Sequence, residues 1–192
     1  DMCIASDRIF LASNTFDEPV VEVDQSGQVI QKFGAVPPPP DLPLDTPASL
    51  RASAERMSFQ GRLDCSEKGV VWASNNYGTI FFYSLEGEEI FSTSLPGFAP
   101  MSPEFTERRT VRYGPRKGIS YMDGVRTVLI LGNKALFQGT RTDYAAREHT
   151  RLGWMVDLES GQAELFSGIE PLLRAKQGNR VLLSRKTLSR SS

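Results

Sequence analysis

Few residues of this chain are suited to chemistry, and His149 is its only histidine. The ordinary pKa of histidine lies near neutrality, so His149 could act as a general base beside Asp143 or Glu148, the nearest acids in sequence. The chain has no nucleophile elbow, no HExxH motif and no phosphate-binding glycine loop. We therefore interpret His149 as a surface residue and predict no catalytic residue.

The two cysteines, Cys3 and Cys65, cannot build a four-ligand Cys/His zinc site with a single histidine. They occupy matching positions in the internal repeat described below. In a propeller, matching positions lie on the innermost strands of neighbouring units, which are usually farther apart than the Cα separation of about 7 Å that a disulfide tolerates. The sequence therefore predicts two buried free thiols. These leave the compartment open, although a secreted or periplasmic location is favoured.

Arginine is concentrated in residues 95–117 and 133–152, which carry five cations against two acids and four against two. The whole chain has 22 basic and 23 acidic residues, which argues against attraction of nucleic acid or membrane by the entire surface. Arginine forks suit phosphate, carboxylate or sulfate groups, and tyrosine can stack on a ring. The alternative is a set of solvated charges with internal pairs. The predicted binding residues are Arg108, Arg109, Arg112, Tyr113, Arg116, Arg141, Tyr144, Arg147, His149 and Arg151.

An internal repeat predicts the elements that position these residues. Two β-rich segments end in Ala-Ser-Asn, at Asn14 and Asn75, and each is followed by a strand, a glycine turn and another strand. A looser third copy has its turn at Gly161. In that copy the second and third strands are predicted at residues 126–131 and 153–158, joined by the long connection 133–152. The units are 1–34, 62–94, 118–167 and a partial 172–186.

Four short antiparallel strands repeated in this way are typical of β-propeller blades. A generic β-sandwich is the alternative. We predict one all-β, propeller-like domain over residues 1–192, with about three and a half four-stranded antiparallel blades of a six-bladed disc. Trp72 and Trp154 are expected to be buried between blades. Because such an arc has open edges, it should belong to a longer protein or pair with a second chain.

Residues 9–34 resemble the NHL-type repeat of six-bladed propellers, which runs from an aliphatic strand through Ala-Ser-Asn and Asp-x-x-Gly to Phe-Gly. Residues 70–94 resemble the same module. Ser13 and Ser74 replace the usual aspartate, and the connections between units are longer. The resemblance implies a propeller, a fold that hosts binding platforms and enzymes alike. Propeller lactonases hold a divalent cation with Asn, Asp and Glu oxygens, and such ligands at Asn14, Asn75 and Asn76 would suit calcium.

The long connections are predicted to share one end of the blades, because 4→1 and 2→3 connections leave an antiparallel blade together. Residues 35–58 and 95–117 are 4→1 connections, and 133–152 is the 2→3 connection. Within them, Thr46 and Pro47 predict a helix over residues 48–57, and Ser102 and Pro103 predict another over residues 104–110. The prolines at 37–40 suit a stiff spacer or a PxxP ligand.

The predicted function is a non-enzymatic binding platform for a protein or anionic partner on the arginine-bearing face, without a cofactor. Nucleic acid is a weaker candidate partner. A calcium-dependent hydrolase of the propeller lactonase class and a purely structural arc are the alternatives. No apolar stretch approaches the roughly 20 residues of a membrane helix, so a soluble protein is expected. The missing initiator Met and signal peptide favour a mature or trimmed product.

Overall fold

The computed structural model describes residues 1–13, 17–38, 42, 44–105, 111–114, 121–167, 172–177 and 180–184, and at some of these, including 102–105 and 111–114, the backbone alone. The described residues are mostly β. They form three four-stranded antiparallel sheets, two two-stranded hairpins and one helix. The expected four-stranded antiparallel sheets are therefore confirmed.

The strands of each sheet lie side by side in chain order. Sheet 1 contains β1 Met2–Ala5, β2 Arg8–Ala12, β3 Val20–Val23 and β4 Val29–Phe33. Sheet 2 contains β5 Gly61–Ser66, β6 Gly69–Ser74, β7 Thr79–Tyr83 and β8 Glu89–Ser94. Sheet 3 contains β11 Tyr121–Leu131, β12 Lys134–Asp143, β13 Glu148–Asp157 and β14 Ala163–Ser167. The hairpins are β9 Ser102–Phe105 with β10 Val111–Gly114, and β15 Leu172–Gln177 with β16 Arg180–Ser184.

In each four-stranded sheet the last two strands are joined by a short turn that contains a glycine. Gly27, Gly87 and Gly161 have positive φ values of 84°, 89° and 70°, which glycine adopts without steric cost. The amide of each glycine donates to the carbonyl of Asp24, Ser84 or Asp157, respectively. The prediction that the three glycines are equivalent hairpin turns is therefore confirmed.

The strand assignment in the third unit was wrong. Residues 126–131 belong to the first strand of sheet 3, and the second strand, β12, lies inside the predicted connection 133–152. Alternating side chains of β12, such as Ala135 and Phe137, are fully buried, so this segment has a strand pattern that its charges hid. The 2→3 connection is in fact the short turn over residues 144–147.

The sheets stack face to face, with sheet 2 in the middle. One face of β6 places Trp72 in an apolar cluster with Phe10 and Phe33 of sheet 1. The opposite face places Val71 in a second cluster with Trp154 of sheet 3. Both tryptophans are 0% exposed, which confirms the prediction that they are buried between sheets.

A disulfide joins Cys3 of β1 to Cys65 of β5, with a Cα–Cα distance of 5.8 Å, so the prediction of free thiols was wrong. By strand pairing, Cys3 matches Asp64 rather than Cys65, because Cys3 faces Phe10 as Asp64 faces Val71. A shift of one residue turns a strand side chain to the other face of its sheet. Cys3 therefore points toward sheet 2, and Cys65 points back toward sheet 1.

Asp64 makes the corresponding connection between sheets 2 and 3. Its buried carboxylate accepts a hydrogen bond from the Ile130 backbone amide at 2.8 Å. The first strands of the three sheets are thus linked in succession, by a covalent bond and then by a buried hydrogen bond.

The connections differ in part from the predicted helices. Helix α1 spans Ala48–Ser58 as expected, but Pro47 is its N-cap and no side chain caps it. The Thr46 hydroxyl, expected to cap the helix, is buried without a hydrogen-bond partner. The second helix was predicted over residues 104–110, but its start is wrong, because Ser102–Phe105 is a strand paired with β10. Residues 106–110 lie outside the described residues. Within the described part of the chain, no helix is long and apolar enough to cross a membrane.

The buried Glu22 carboxylate should make stability depend on acid pH. Arg8 donates two hydrogen bonds of 2.7 Å to Glu22, and these hold the pKa of that carboxyl below its ordinary value. A depressed pKa contributes stability above the unfolded value of about 4.3, and this is lost as pH falls through the folded pKa. We expect Glu22→Gln to flatten the pH dependence of the denaturation midpoint below about pH 4.

The exposed Glu86 provides a matched control, since it also contacts Arg8. Glu86→Gln should leave the acid slope nearly unchanged, because exposed ion pairs contribute little. Equal slopes for wild type and Glu22→Gln would show that the Arg8–Glu22 pair does not titrate with folding.

Candidate functional site

One end of sheet 3 extends past the neighbouring sheet. The Val125 amide donates to the carbonyl of Asn75, the residue that follows the last residue of β6. Beyond the level of Asn75, three paired strand segments continue. They are residues 121–124, 140–143 and 148–151. At about 3.4 Å per residue, the extension is roughly 14 Å long. We call these residues, together with the turn 144–147, the ribbon.

The tip of the ribbon is a tight and ordered turn. Asp143 Oδ1 accepts hydrogen bonds from the amides of Ala145 and Ala146 at 2.8 and 2.9 Å. Arg147 has a φ of 57°, a left-handed conformation that is uncommon outside glycine. The turn presents Tyr144, 50% exposed, and the exposed Arg147 to solvent.

The two faces of the ribbon differ in charge. Side chains alternate along a strand, and paired residues share a face. The inner face, directed toward sheet 2, carries the three acids of the ribbon. These are Asp123, Asp143 and Glu148. The outer face carries Met122, Thr142, His149 and Arg151. The acids of the ribbon thus lie on the inner face together with Arg141, and its outer face carries no acid.

Arg141 is part of the structural base of the ribbon. It lies on the inner face, where Nε and Nη2 donate to the Asp123 carboxylate at 2.8 and 2.7 Å. These hydrogen bonds raise the pKa of the guanidinium above its ordinary value. Nη2 also donates to the Gly97 carbonyl, and the Ala99 amide donates to Asp123. This network ties the ribbon to the segment that follows sheet 2.

The outer face carries accessible polar groups. His149 Nδ1 lies 3.1 Å from the Thr142 hydroxyl, and the histidine is exposed. The Tyr144 hydroxyl lies 4.0 Å from the Met122 sulfur, which inclines the ring toward this face. Arg126 is exposed, and its Nη2 lies 3.8 Å from the position of a Cβ built on Gly124. The same Cβ position lies 3.7 Å from the Asn75 carbonyl oxygen, so the guanidinium lies beside Gly124 on the edge strand of the ribbon, close to sheet 2.

The predicted binding residues are only partly brought together. The tip and outer face of the ribbon bring together Tyr144, Arg147, His149 and Arg151. Arg141 lies on the inner face of the same ribbon. The described strand β10 contains Arg112 and Tyr113, for which the backbone alone is described. Arg108, Arg109 and Arg116 lie outside the described residues.

Sequence reasoning missed Arg126. It sits at an irregularity in the pairing of β11, between Val125 and Thr127, where two residues of one strand oppose one of the other. A bulge re-aims a side chain, and no regular alternation of the sequence marks it. Lys134, which was counted with the arginines, lies at the far end of β12.

The asparagines considered for calcium are found in different settings. Asn75 Oδ1 is buried without a hydrogen-bond partner, while Asn76 Nδ2 donates to the Met57 carbonyl and to Gln60 Oε1. Asn14 lies outside the described residues. Among the described residues, no group of three or more His, Cys, Asp or Glu side chains is arranged to hold a metal ion.

Comparisons of this chain with models of known protein families, with curated proteins and with solved structures find no match. The resemblance to NHL repeats therefore stays a prediction, carried by the residues that showed it.

Proposed function

We propose that this chain is a non-enzymatic, propeller-like binding module that recognises an acidic or anionic partner through the outer face of the ribbon and its edge strand. Arg126, Arg147 and His149 would meet the anionic groups, and Tyr144 would supply a flat contact. The Cys3–Cys65 disulfide supports a secreted or periplasmic location, because disulfides persist in oxidising compartments.

The observation that carries the proposal is that all acids of the ribbon lie on its inner face. Asp143 and Glu148 lie opposite each other in the pairing of β12 with β13, on the inner face. Neither therefore lies on the outer face with His149. Arg126 and Arg147 form no ion pair with any described residue. A group of cations with no acid beside it attracts an anion. His149 is separated from its nearest acids and so lacks the carboxylate partner that a general base commonly uses.

The stacked sheets support the propeller-like part of the proposal. Successive four-stranded sheets pack face to face, and their first strands are linked in order through Cys3, Cys65 and Asp64. Blades of a propeller are stacked in this manner around an axis. In such proteins, the loops at one end of the blades commonly provide the binding surface. The ribbon extends from the end of sheet 3 that carries the turn between its second and third strands.

We expect loss of a ribbon cation to weaken capture of a polyanion. Arg126→Gln and Arg147→Gly each remove one exposed charge, and glycine suits the φ of 57° at position 147. Each variant should reduce the association rate with immobilised poly-glutamate or heparin about two- to fivefold at low salt, as expected of exposed charge pairs. Surface plasmon resonance across a salt series measures this.

Lys134→Gln is the matched control, because it removes an exposed charge at the end of β12 that lies farthest from the ribbon. It should change the association rate less than either ribbon variant. Reversal of Arg108, Arg109 and Arg112 together should slow association by roughly tenfold if the arginine-rich segment joins the same surface.

Equal effects of Lys134→Gln and Arg126→Gln would contradict the proposal, because the attraction would then come from total charge. The hydrolase alternative would gain support if the wild type captured neither polyanion and calcium raised its melting temperature. Asn75, with its unpartnered Oδ1, would then be the first residue to replace.

A further inference from the structure

The first hairpin of each sheet closes in the same way, which allows residues of different sheets to be matched. Two residues separate the strands, and the residue that follows them is Arg8 in sheet 1, Gly69 in sheet 2, Lys134 in sheet 3 and Arg180 in the β15–β16 hairpin. Lys134 is therefore the counterpart of Arg8. By the same match, β15 and β16 correspond to the first two strands of a fourth sheet. Among the described residues, no third strand pairs with them.

A row of paired residues crosses the last three strands of each sheet, two positions beyond the matched residue. The rows are Phe10, Glu22 and Gln31 in sheet 1, Val71, Phe82 and Phe91 in sheet 2, and Leu136, Met155 and Glu164 in sheet 3. The row of sheet 1 faces sheet 2, and the row of sheet 2 faces sheet 3. In sheet 3, Phe137 and Trp154 face sheet 2, so the row that alternates with them faces away from sheet 2.

The end of the row in sheet 1 holds the glycine turn of sheet 2. Gln31 Nε2 donates a hydrogen bond of 3.5 Å to the carbonyl of Leu85, and Arg8 Nη1 donates one of 3.3 Å to the Glu86 carboxylate. Leu85 and Glu86 belong to the turn that contains Gly87. One side chain of the row and the matched arginine thus bind the turn of the following sheet.

The next interface repeats this arrangement. A Cβ built on Gly161 would lie 3.3 Å from the ring of Phe91, so the glycine turn of sheet 3 lies against the end of the row of sheet 2. Two successive sheets therefore receive the glycine turn of the following sheet at equivalent positions. We call this position, formed by the end of the row and the matched residue, the turn site.

The turn site of sheet 3 is an open cavity of about 180 Å³. Its lining residues all belong to sheet 3, and they are Lys134, Met155, Asp157, Ser160, Gln162 and Glu164. Lys134 and Glu164 are exposed, and they occupy the positions that Arg8 and Gln31 have in sheet 1. The cavity thus has the place and the polar groups of a turn site, and no described residue of another element lines it.

We propose that the turn site of sheet 3 docks the glycine turn of a β-hairpin from a partner polypeptide, and that this hairpin adds the third and fourth strands to β15–β16. Addition of strands to an open sheet edge is a common mode of recognition, and β16 has such an edge among the described strands. Lys134 suits an acid next to the glycine of the incoming turn, as Arg8 suits Glu86. The equivalent glycine turns of the described chain already belong to sheets 1 to 3.

The β7–β8 hairpin of the chain supplies a probe, because its turn is the one that occupies the turn site of sheet 1. We expect a fluorescein-labelled synthetic peptide of residues 79–94 to bind the wild type saturably in about 0.3 M salt, which screens exposed charges. The expected dissociation constant by fluorescence anisotropy is about 10–100 µM. Gly87→Val in the peptide should weaken binding at least about tenfold, because the turn requires a φ of 89°. Binding should also slow hydrogen exchange in Arg180–Ser184.

Exchange of charges tests the contact with Lys134. Lys134→Glu in the protein and Glu86→Lys in the peptide should each weaken binding about five- to tenfold, because like charges would face each other. The two changes together should restore binding. Arg147→Gly is the control for the ribbon, and it should weaken binding less than Lys134→Glu does.

A gain of affinity provides a test that misfolding cannot imitate. Glu164→Gln restores at the turn site of sheet 3 the amide donor that Gln31 offers to Leu85 in sheet 1. It should tighten binding of the peptide about two- to fivefold, as expected of one added hydrogen bond.

Several results would overturn the proposal. They are no saturable binding up to about 1 mM peptide, equal binding by wild type and Lys134→Glu with unchanged circular dichroism, and unchanged exchange in Arg180–Ser184 at saturation. Sedimentation tests a second copy as the occupant. A wild type that self-associates, and that Lys134→Glu makes monomeric, would assign the turn site to a second copy in place of a different partner.

Discussion

Replacing Trp72 with alanine is expected to lower the free energy of unfolding by about 3–5 kcal/mol. The indole is 0% exposed and lies between sheets 1 and 2, in contact range of Phe81 with ring centroids 5.8 Å apart. Its Nε1 is buried without a hydrogen-bond partner, so the loss would come from packing rather than from a polar contact. Urea denaturation followed by circular dichroism measures the change.

Gly61 offers a stringent control for this packing. A Cβ at Gly61 would lie 2.2 Å from the Trp72 ring, so Gly61→Ala should destabilise the wild type. In the Trp72→Ala background the ring is absent, and the same substitution should cost less. A coupling of about 0.5–3 kcal/mol is expected for residues in direct contact. Additive losses, or a loss below about 1 kcal/mol for Trp72→Ala, would place the indole outside the interface.

The repeat explains why much of the fold could be predicted. Glycine turns at Gly27, Gly87 and Gly161 and buried Trp72 and Trp154 depend on local signals, namely a required positive φ and an apolar strand. Such signals are readable in a single sequence. The cysteines were matched by their distances from Asn14 and Asn75, and this matching was wrong by one position. In a strand, a shift of one position moves a side chain to the other face of the sheet.

The candidate site was harder to predict, because its residues were grouped by sequence and not by face. Arg141 and Arg151 were treated alike, although strand alternation places them on opposite sides of the ribbon. The Asp123–Arg141 pair spans 18 residues and depends on the register of β11 against β12. Until β12 was recognised as a strand, no charge count could separate structural arginines from accessible ones.

The Cys3–Cys65 disulfide is expected to contribute about 4 kcal/mol to the free energy of unfolding. The two cysteines are 62 residues apart, and a cross-link over a loop of this length restricts the unfolded chain strongly. Both side chains are buried at the junction of sheets 1 and 2, so a double replacement by alanine keeps the site apolar. Guanidinium denaturation with and without reductant should show the loss in the wild type.

The double variant Cys3→Ala/Cys65→Ala supplies the control, because it has no thiol for the reductant to act on. Reductant should lower the denaturation midpoint of the wild type to near that of the double variant, and leave the double variant unchanged. If the midpoint of the wild type did not respond to complete reduction, packing around Trp72 and Phe10 alone would hold sheet 1 to sheet 2. A response would instead make β1 the redox-sensitive part of the fold, since Met2–Ala5 is the strand that the bond joins to sheet 2.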